Sequence, residues 1–178
     1  MPRLLVVEQD RPVVRRRAAR VLAVSPQGRV LLLAGGDPDR PHVRIWHAPG
    51  GGVEPGEDDR VAASREYAEE TGVAVEVGPH VWDRRLVFGF NGRTYDQDEV
   101  FFLARTDHEH DVSAAGHNAL EQTYLTGHGW FSVDEVRALT TADGSVLVAP
   151  PDLADRLEEL LRDGPPATPV QVAGAVLP

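Results

Sequence analysis

The chain has 178 residues, 42% hydrophobic and 26% charged, with a formal net charge of −10 and no cysteine. That length suits one domain with a proper core, the acidity argues against a nucleic acid as partner, and the missing cysteines exclude disulfides, thiol nucleophiles and thiolate metal sites. No apolar run approaches the roughly 18 residues of a membrane span and the start lacks a secretory signal, so no membrane partner and a cytoplasmic location are expected.

Residues 1–16 read as an N-terminal arm or edge strand, with Leu4 to Val7 apolar and the charged stretch after Glu8 interrupted by Pro12. The main domain is expected over residues 17–163. Ala18 to Val24 reads as a buried strand, turned by Ser25 to Gly28, and Val30 to Leu33 returns as the second arm of a hairpin. Gly35 to His42, with Pro38 and Pro41, reads as a polar loop, and Ile45 to Pro49 as a short strand leading into Gly50-Gly51-Gly52.

A helix follows. Asp58 is its expected cap, acidic residues from Glu57 to Asp59 suit the positive N-terminal end, and Gly72 is a natural stop. On it Glu66, Glu69 and Glu70 stand at i, i+3 and i+4, so three carboxylates share one face. Like charges repel there, and a hard cation such as Mg²⁺ or Mn²⁺ removes the penalty. The competing reading is a solvated acidic face. The glycine run before the helix favours the metal, because bare backbone can approach a metal or phosphate closely.

Val73 to Val77 alternates like a strand. Val81 to Phe90 and Thr94 to Arg105 form an expected hairpin turned by Asn91-Gly92. Asp107 to Gly129 is a polar segment containing His108, His110, His117 and His128, whose spacing matches no zinc motif. Trp130-Phe131 reads as a late strand, and Ser132 to Glu135 as a capping box. Asp152 to Arg162 is an amphipathic helix with Leu153, Leu157, Leu160 and Leu161 inward and Glu158 and Glu159 outside. Residues 164–178 form a Pro-containing C-terminal tail, free or docked on a second subunit; apolar arm and tail together make a homodimer one reading.

The stretch from Gly51 to Val73 resembles the signature of the Nudix hydrolases. Gly51, Glu57, Arg65, Glu66, Glu69, Glu70, Gly72 and Val73 all fall in register, and only Tyr67 departs, standing where an aliphatic residue is usual. The resemblance implies an α/β fold, an α/β/α sandwich with a mixed sheet. It implies hydrolysis within the pyrophosphate of a nucleoside diphosphate linked to another group. Glu66, Glu69, Glu70 and the Gly50 carbonyl are the implied metal ligands. Arg65 pairs with Glu57 or orients Glu66. The general base is Glu66 or a later glutamate, Glu121, ahead of Glu109 and Glu99; Glu99 sits in a strand pattern where a solvated position is ordinary.

Trp46 matches the aromatic residue that precedes the family's Pro-Gly-Gly, serving as core, pocket wall or base platform, with Gly51 and Gly52 beside the substrate. Trp82, Phe88 and Phe90 are further ring candidates. Subfamily marks for ADP-ribose, dinucleoside polyphosphates and NADH are absent, so the substrate stays open. The alternative function is a catalytically inactive nucleotide-binding sensor on the same fold. The related prenyl diphosphate isomerases need a cysteine that this chain lacks.

Overall fold

The computed structural model describes residues 11–117, 119 and 121–174. Nine strands are present among them: β1 (Val13–Val24), β2 (Val30–Asp37), β3 (Arg40–His47), β4 (Gly50–Gly52), β5 (His80–Phe90), β6 (Arg93–Arg105), β7 (Leu125–Phe131), β8 (Val146–Ala149) and β9 (Val170–Gln171). The helices are α1 (Asp59–Thr71), α2 (Glu121–Tyr124), α3 (Val133–Leu139) and α4 (Leu153–Asp163), with a 3₁₀ turn at Ala114–Gly116.

The strands form one mixed sheet in the order β8-β3-β2-β1-β6-β5-β9, with β4 on β1 and β7 on β2. β1 and β6 run parallel in register along the whole of β1, from Val13↔Thr94 to Val24↔Arg105. By contrast β1 and β2 pair only at Val24↔Val30 and then splay. β1 continues against the glycines of β4, while β2 pairs with β3 and β7. That split in the sheet is where the site forms.

Strand alternation gives the sheet two apolar faces. Ala19, Val21, Val100 and Phe102 pack against Ala62, Ala63 and Tyr67 of α1, the alanines letting helix and sheet approach closely. Leu22, Val24, Trp82, Phe101 and Leu103 pack on the other side against Val136, Leu153, Leu157 and Leu160 of α3 and α4. Helices therefore cover both faces, as expected of the α/β/α sandwich. The expected capping box at Ser132 and Glu135 is formed, and Asn91 and Gly92 turn the β5–β6 hairpin with positive φ of 48° and 73°. No described helix is long and apolar enough to cross a membrane.

Several local expectations are corrected. Val73 to Val77 is not a strand, although Val75 and Val77 rest against the core; alternation there reflects packing without a sheet neighbour. Gly35 to His42 is largely strand, because β2 and β3 run up to a tight turn at Pro38-Asp39. The polar segment from Asp107 holds the 3₁₀ turn, α2 and the start of β7. Val13 to Arg16, read as part of the arm, belong to β1, and Val170-Gln171 of the tail pair with β5. The Leu4–Val7 reading lies outside the described residues.

Candidate active site

Asp58 caps α1 with its side chain on Arg60 N and Val61 N, and Gly72 closes it at φ 75°. The helix lies with Glu70 only 1% exposed. Glu70 Oε2 accepts from Gly50 N at 2.7 Å, so the glycine loop and helix are joined at the carboxylate itself. A Cβ at Gly51 would lie 2.3 Å from Glu66 Oε2, so Gly51 leaves the space that the Glu66 carboxylate fills. Arg65 completes the clamp: Nε and Nη2 each donate to Glu57 at 2.9 Å, Nη1 to Glu66 Oε1 at 2.8 Å, and Nη2 to Gly52 O at 3.1 Å. Arg65 thus contacts Glu57 and Glu66 together, the two partners between which the sequence left it.

Glu66, Glu70 and Glu121 each present an oxygen within 4.8 Å of the others. Glu121 comes from the start of α2 and is buried. Glu69 stands outside this group, its side chain 45% exposed, with Arg65 Nη1 at 3.4 Å. The Gly50 carbonyl accepts from Arg20 Nη1 at 3.0 Å. Burial pushes the Glu70 carboxyl up to about 8; the Gly50 N–H and Arg20 oppose this, and Glu66 and Glu121 add to it. Burial likewise raises Glu66, against the pull of Arg65. Three converging hard oxygens, from Glu66, Glu70 and Glu121, are a donor set suited to a small divalent cation.

The carboxylates open into a cavity of about 300 Å³. One wall is a single face of β1, β5 and β6. Along it stand the rungs Arg84↔Glu99, Leu86↔Gln97 and Phe88↔Tyr95, with Arg16 level with Gln97. Phe88 and Tyr95 stack at 5.3 Å, and Phe90 meets Tyr124 edge-on at 5.5 Å. Glu66 and Glu70 reach this cavity from the opposite side of the sheet, past the glycines of β4.

Trp46 is not among the cavity-lining residues; it is half-buried, its ring edge-on to Phe131 at 4.9 Å and packed against the core. Gly51 and Gly52 do line the cavity. Trp82 is buried in the core, whereas Phe88 and Phe90 face the cavity. Of the histidines in the polar segment, His110 receives Tyr67 Oη at 2.6 Å and His117 bonds the Glu70 carbonyl at 2.7 Å, both structural contacts behind α1.

Glu99 is a correction: it is 1% exposed, not solvated. Arg20 Nε donates to it at 2.8 Å and Arg84 grips its other oxygen. Burial alone would raise its carboxyl; these two guanidinium groups hold it down at about 2. Glu109 sits away from the cluster, paired with Arg29 at 3.3 Å. Glu99 alternates in step with Phe101 and Leu103, a period-two signal that it faces inward. Arg20, Arg84 and His47 had no such motif to mark them. Burial, followed by the repulsion of Arg20, lowers His47 to about 4, so its ring is neutral near pH 7.

A family profile described as "NUDIX domain" matches residues 14–149. An RNA pyrophosphohydrolase of Erythrobacter litoralis is 30% identical over 139 residues, covering 70% of this chain and 80% of the relative. One of Roseobacter denitrificans is 44% identical over 96 residues, covering 48% of this chain and 58% of that one. Among solved structures, the MutT protein from Methanosarcina mazei Go1 superposes with a TM-score of 0.58 at 20% identity, covering 86% of this chain and 96% of its own. An Ap4A hydrolase of C. elegans gives 0.56 at 21% identity, covering 83% and 98%.

Proposed function

Because the chain belongs to the NUDIX family, we propose that it is a divalent-metal-dependent pyrophosphohydrolase cleaving a nucleoside diphosphate linked to another group. The observation that carries this is the convergence of Glu66, Glu70 and Glu121 within 4.8 Å on the lining of a cavity that also presents aromatic rings. When bound, Mg²⁺ or Mn²⁺ neutralises the pyrophosphate and acidifies water.

Glu66 and Glu70 hold the cation, and their geometry is kept by neighbours. The Gly50 N–H fixes one oxygen of Glu70, and Arg65 fixes Glu66. Arg65 and Glu57 are positioning residues that tie the glycine loop to the helix. Glu121 arrives from a separate element and takes the proton of the attacking water. Phe88, Tyr95 and Phe90 offer ring faces to a nucleobase.

Two substitutions probe these roles. Glu121→Gln should lower kcat by about 10²–10⁴-fold, the usual contribution of a general base, while Mg²⁺ affinity measured by calorimetry changes little. A large loss of affinity instead would reassign Glu121 as a ligand. Gly51→Ala should cost up to about 10²-fold in turnover, the scale of a displaced catalytic group, since its Cβ would displace the Glu66 carboxylate. Unchanged turnover would show that Glu66 need not sit there.

The reading as a whole is tested on a panel of nucleoside triphosphates, dinucleoside polyphosphates, nucleotide sugars, ADP-ribose and 5′-triphosphorylated RNA, with either metal. If nothing on the panel is cut, the proposal fails; tight binding without turnover would favour the sensor. RNA belongs on the panel because the relatives named RNA pyrophosphohydrolase include one 30% identical over 139 residues. A net charge of −10 speaks against binding along a phosphate backbone, whereas a 5′ end brings its phosphates to one point.

A further inference from the structure

The cavity wall opposite the carboxylates carries a surplus of positive charge. Arg16, Arg20 and Arg84 all line it, and the one carboxylate on that wall is Glu99. Arg20 spends Nε on Glu99 and Nη1 on the Ala48 and Gly50 carbonyls, leaving Nη2 without a partner among the described residues. Arg16, the most exposed of the three, donates Nε to Gln97 and lies over the Tyr95 ring at 4.4 Å, leaving its Nη groups without a hydrogen-bond partner among the described residues. Arg84 is 4% exposed, and its Nη1 is buried with no partner.

The unpaired, buried Nη1 of Arg84 is costly, and bringing three cations to one wall adds repulsion. The arrangement is explained if an oxyanion enters. It also has a definite place. Arg20 lies level with Phe101, Arg16 with Gln97 and Val14 with Tyr95. Moving away from the carboxylates, the wall therefore presents Arg20, then Arg84 with Glu99, then Arg16, then the Phe88–Tyr95 stack. At about 3.3 Å per residue the six steps from Phe101 to Tyr95 span ~20 Å.

We propose that Arg16, Arg20 and Arg84 form a subsite for a phosphate beyond the two joined by the cleaved bond, so that the enzyme prefers substrates with a chain of three or more phosphates. This rests on the pyrophosphohydrolase reading above. Arg16, at the outer end, distinguishes long chains from short ones.

The test compares Arg16→Gln with Arg15→Gln, a neighbour on the exposed side of β1 that removes the same charge away from the cavity. For the wild type and both variants, kcat/KM is measured with a nucleoside triphosphate or dinucleoside tetraphosphate and with a nucleotide sugar. Arg16→Gln should reduce the preference for the longer chain by about 10–100-fold, the scale of lost hydrogen bonds to a charged group, and Arg15→Gln should leave the ratio as it is. Independently, calorimetric titration of tripolyphosphate into the EDTA-treated protein should show binding that weakens tenfold or more in Arg16→Gln alone. Equal losses in the two variants, or no binding by the wild type, overturn the subsite. If no nucleotide is hydrolysed, the reaction reading falls and the tripolyphosphate titration still decides the subsite.

Discussion

Glu70→Gln should abolish useful turnover, lowering kcat/KM for the best substrate by on the order of 10²–10³-fold or more, the scale seen when one electrostatic catalytic group is removed. The substitution is nearly isosteric. A glutamine oxygen can still accept from Gly50 N–H, the 2.7 Å bond that joins loop to helix, so the loop should keep its position. What disappears is the negative charge of the most buried carboxylate in the cluster, 1% exposed. Thermal melts with and without Mg²⁺ accompany the kinetics: the stabilisation that Mg²⁺ gives the wild type should vanish in the variant. Activity within tenfold of wild type would sink the assignment of Glu70 as a metal-holding group.

The second large effect is on stability. With the metal removed by EDTA, the wild type should lose several degrees of Tm as pH rises from about 6.5 to 8.5, above the range where His47, lowered from 6.5 to about 4, acts in the opposite sense, and Mg²⁺ should restore them. Burial raises the Glu70 carboxyl from 4.5 to about 8, so the folded state binds this proton more tightly than the unfolded chain. The resulting stability is fully present below the unfolded value of 4.5 and is lost as pH climbs through 8. Glu66 is raised by the same cause and acts in the same direction. Glu99 and Glu57, held down at about 2 by their arginine partners, titrate below this window and do not mask it. A change of about 1 kcal/mol moves Tm by roughly 2–4 °C in a chain of this size, which places the effect within reach of calorimetry. Glu70→Gln should flatten the profile. A slope equally steep in that variant would mean that other groups are responsible.

These two expectations pull in opposite directions on one residue. The same substitution that removes turnover should make the metal-free protein firmer at alkaline pH. A carboxylate cluster kept at that cost without its ion is the common trade of stability for function.

The reaction class was legible from one local stretch. The spacing from Gly51 to Val73 is short-range information: capping by Asp58, the stop at Gly72 and the i, i+3, i+4 carboxylates all follow from helix geometry. So does the outline of the fold, because apolar alternation in β1, β5 and β6 and the 3.6-residue period of α4 survive without any tertiary context. Position on the helix, however, did not determine which carboxylates meet. Glu69 is only one turn from Glu66 yet turns outward, while Glu121, fifty-one positions after Glu70 in the chain, joins the cluster. The wall of Arg16, Arg20, Arg84 and Glu99 was likewise not assembled by any local motif, since Arg16 and Arg20 reach the β5–β6 hairpin only through the parallel β1–β6 pairing. Helix periodicity and turn chemistry are carried by residues a few places apart, so the sequence alone determined the carboxylate-bearing helix and the layers around it. The burial of a charge, its partner and the space left for a substrate depend on how the sheet splits between β1 and β2, and that only the tertiary structure decided.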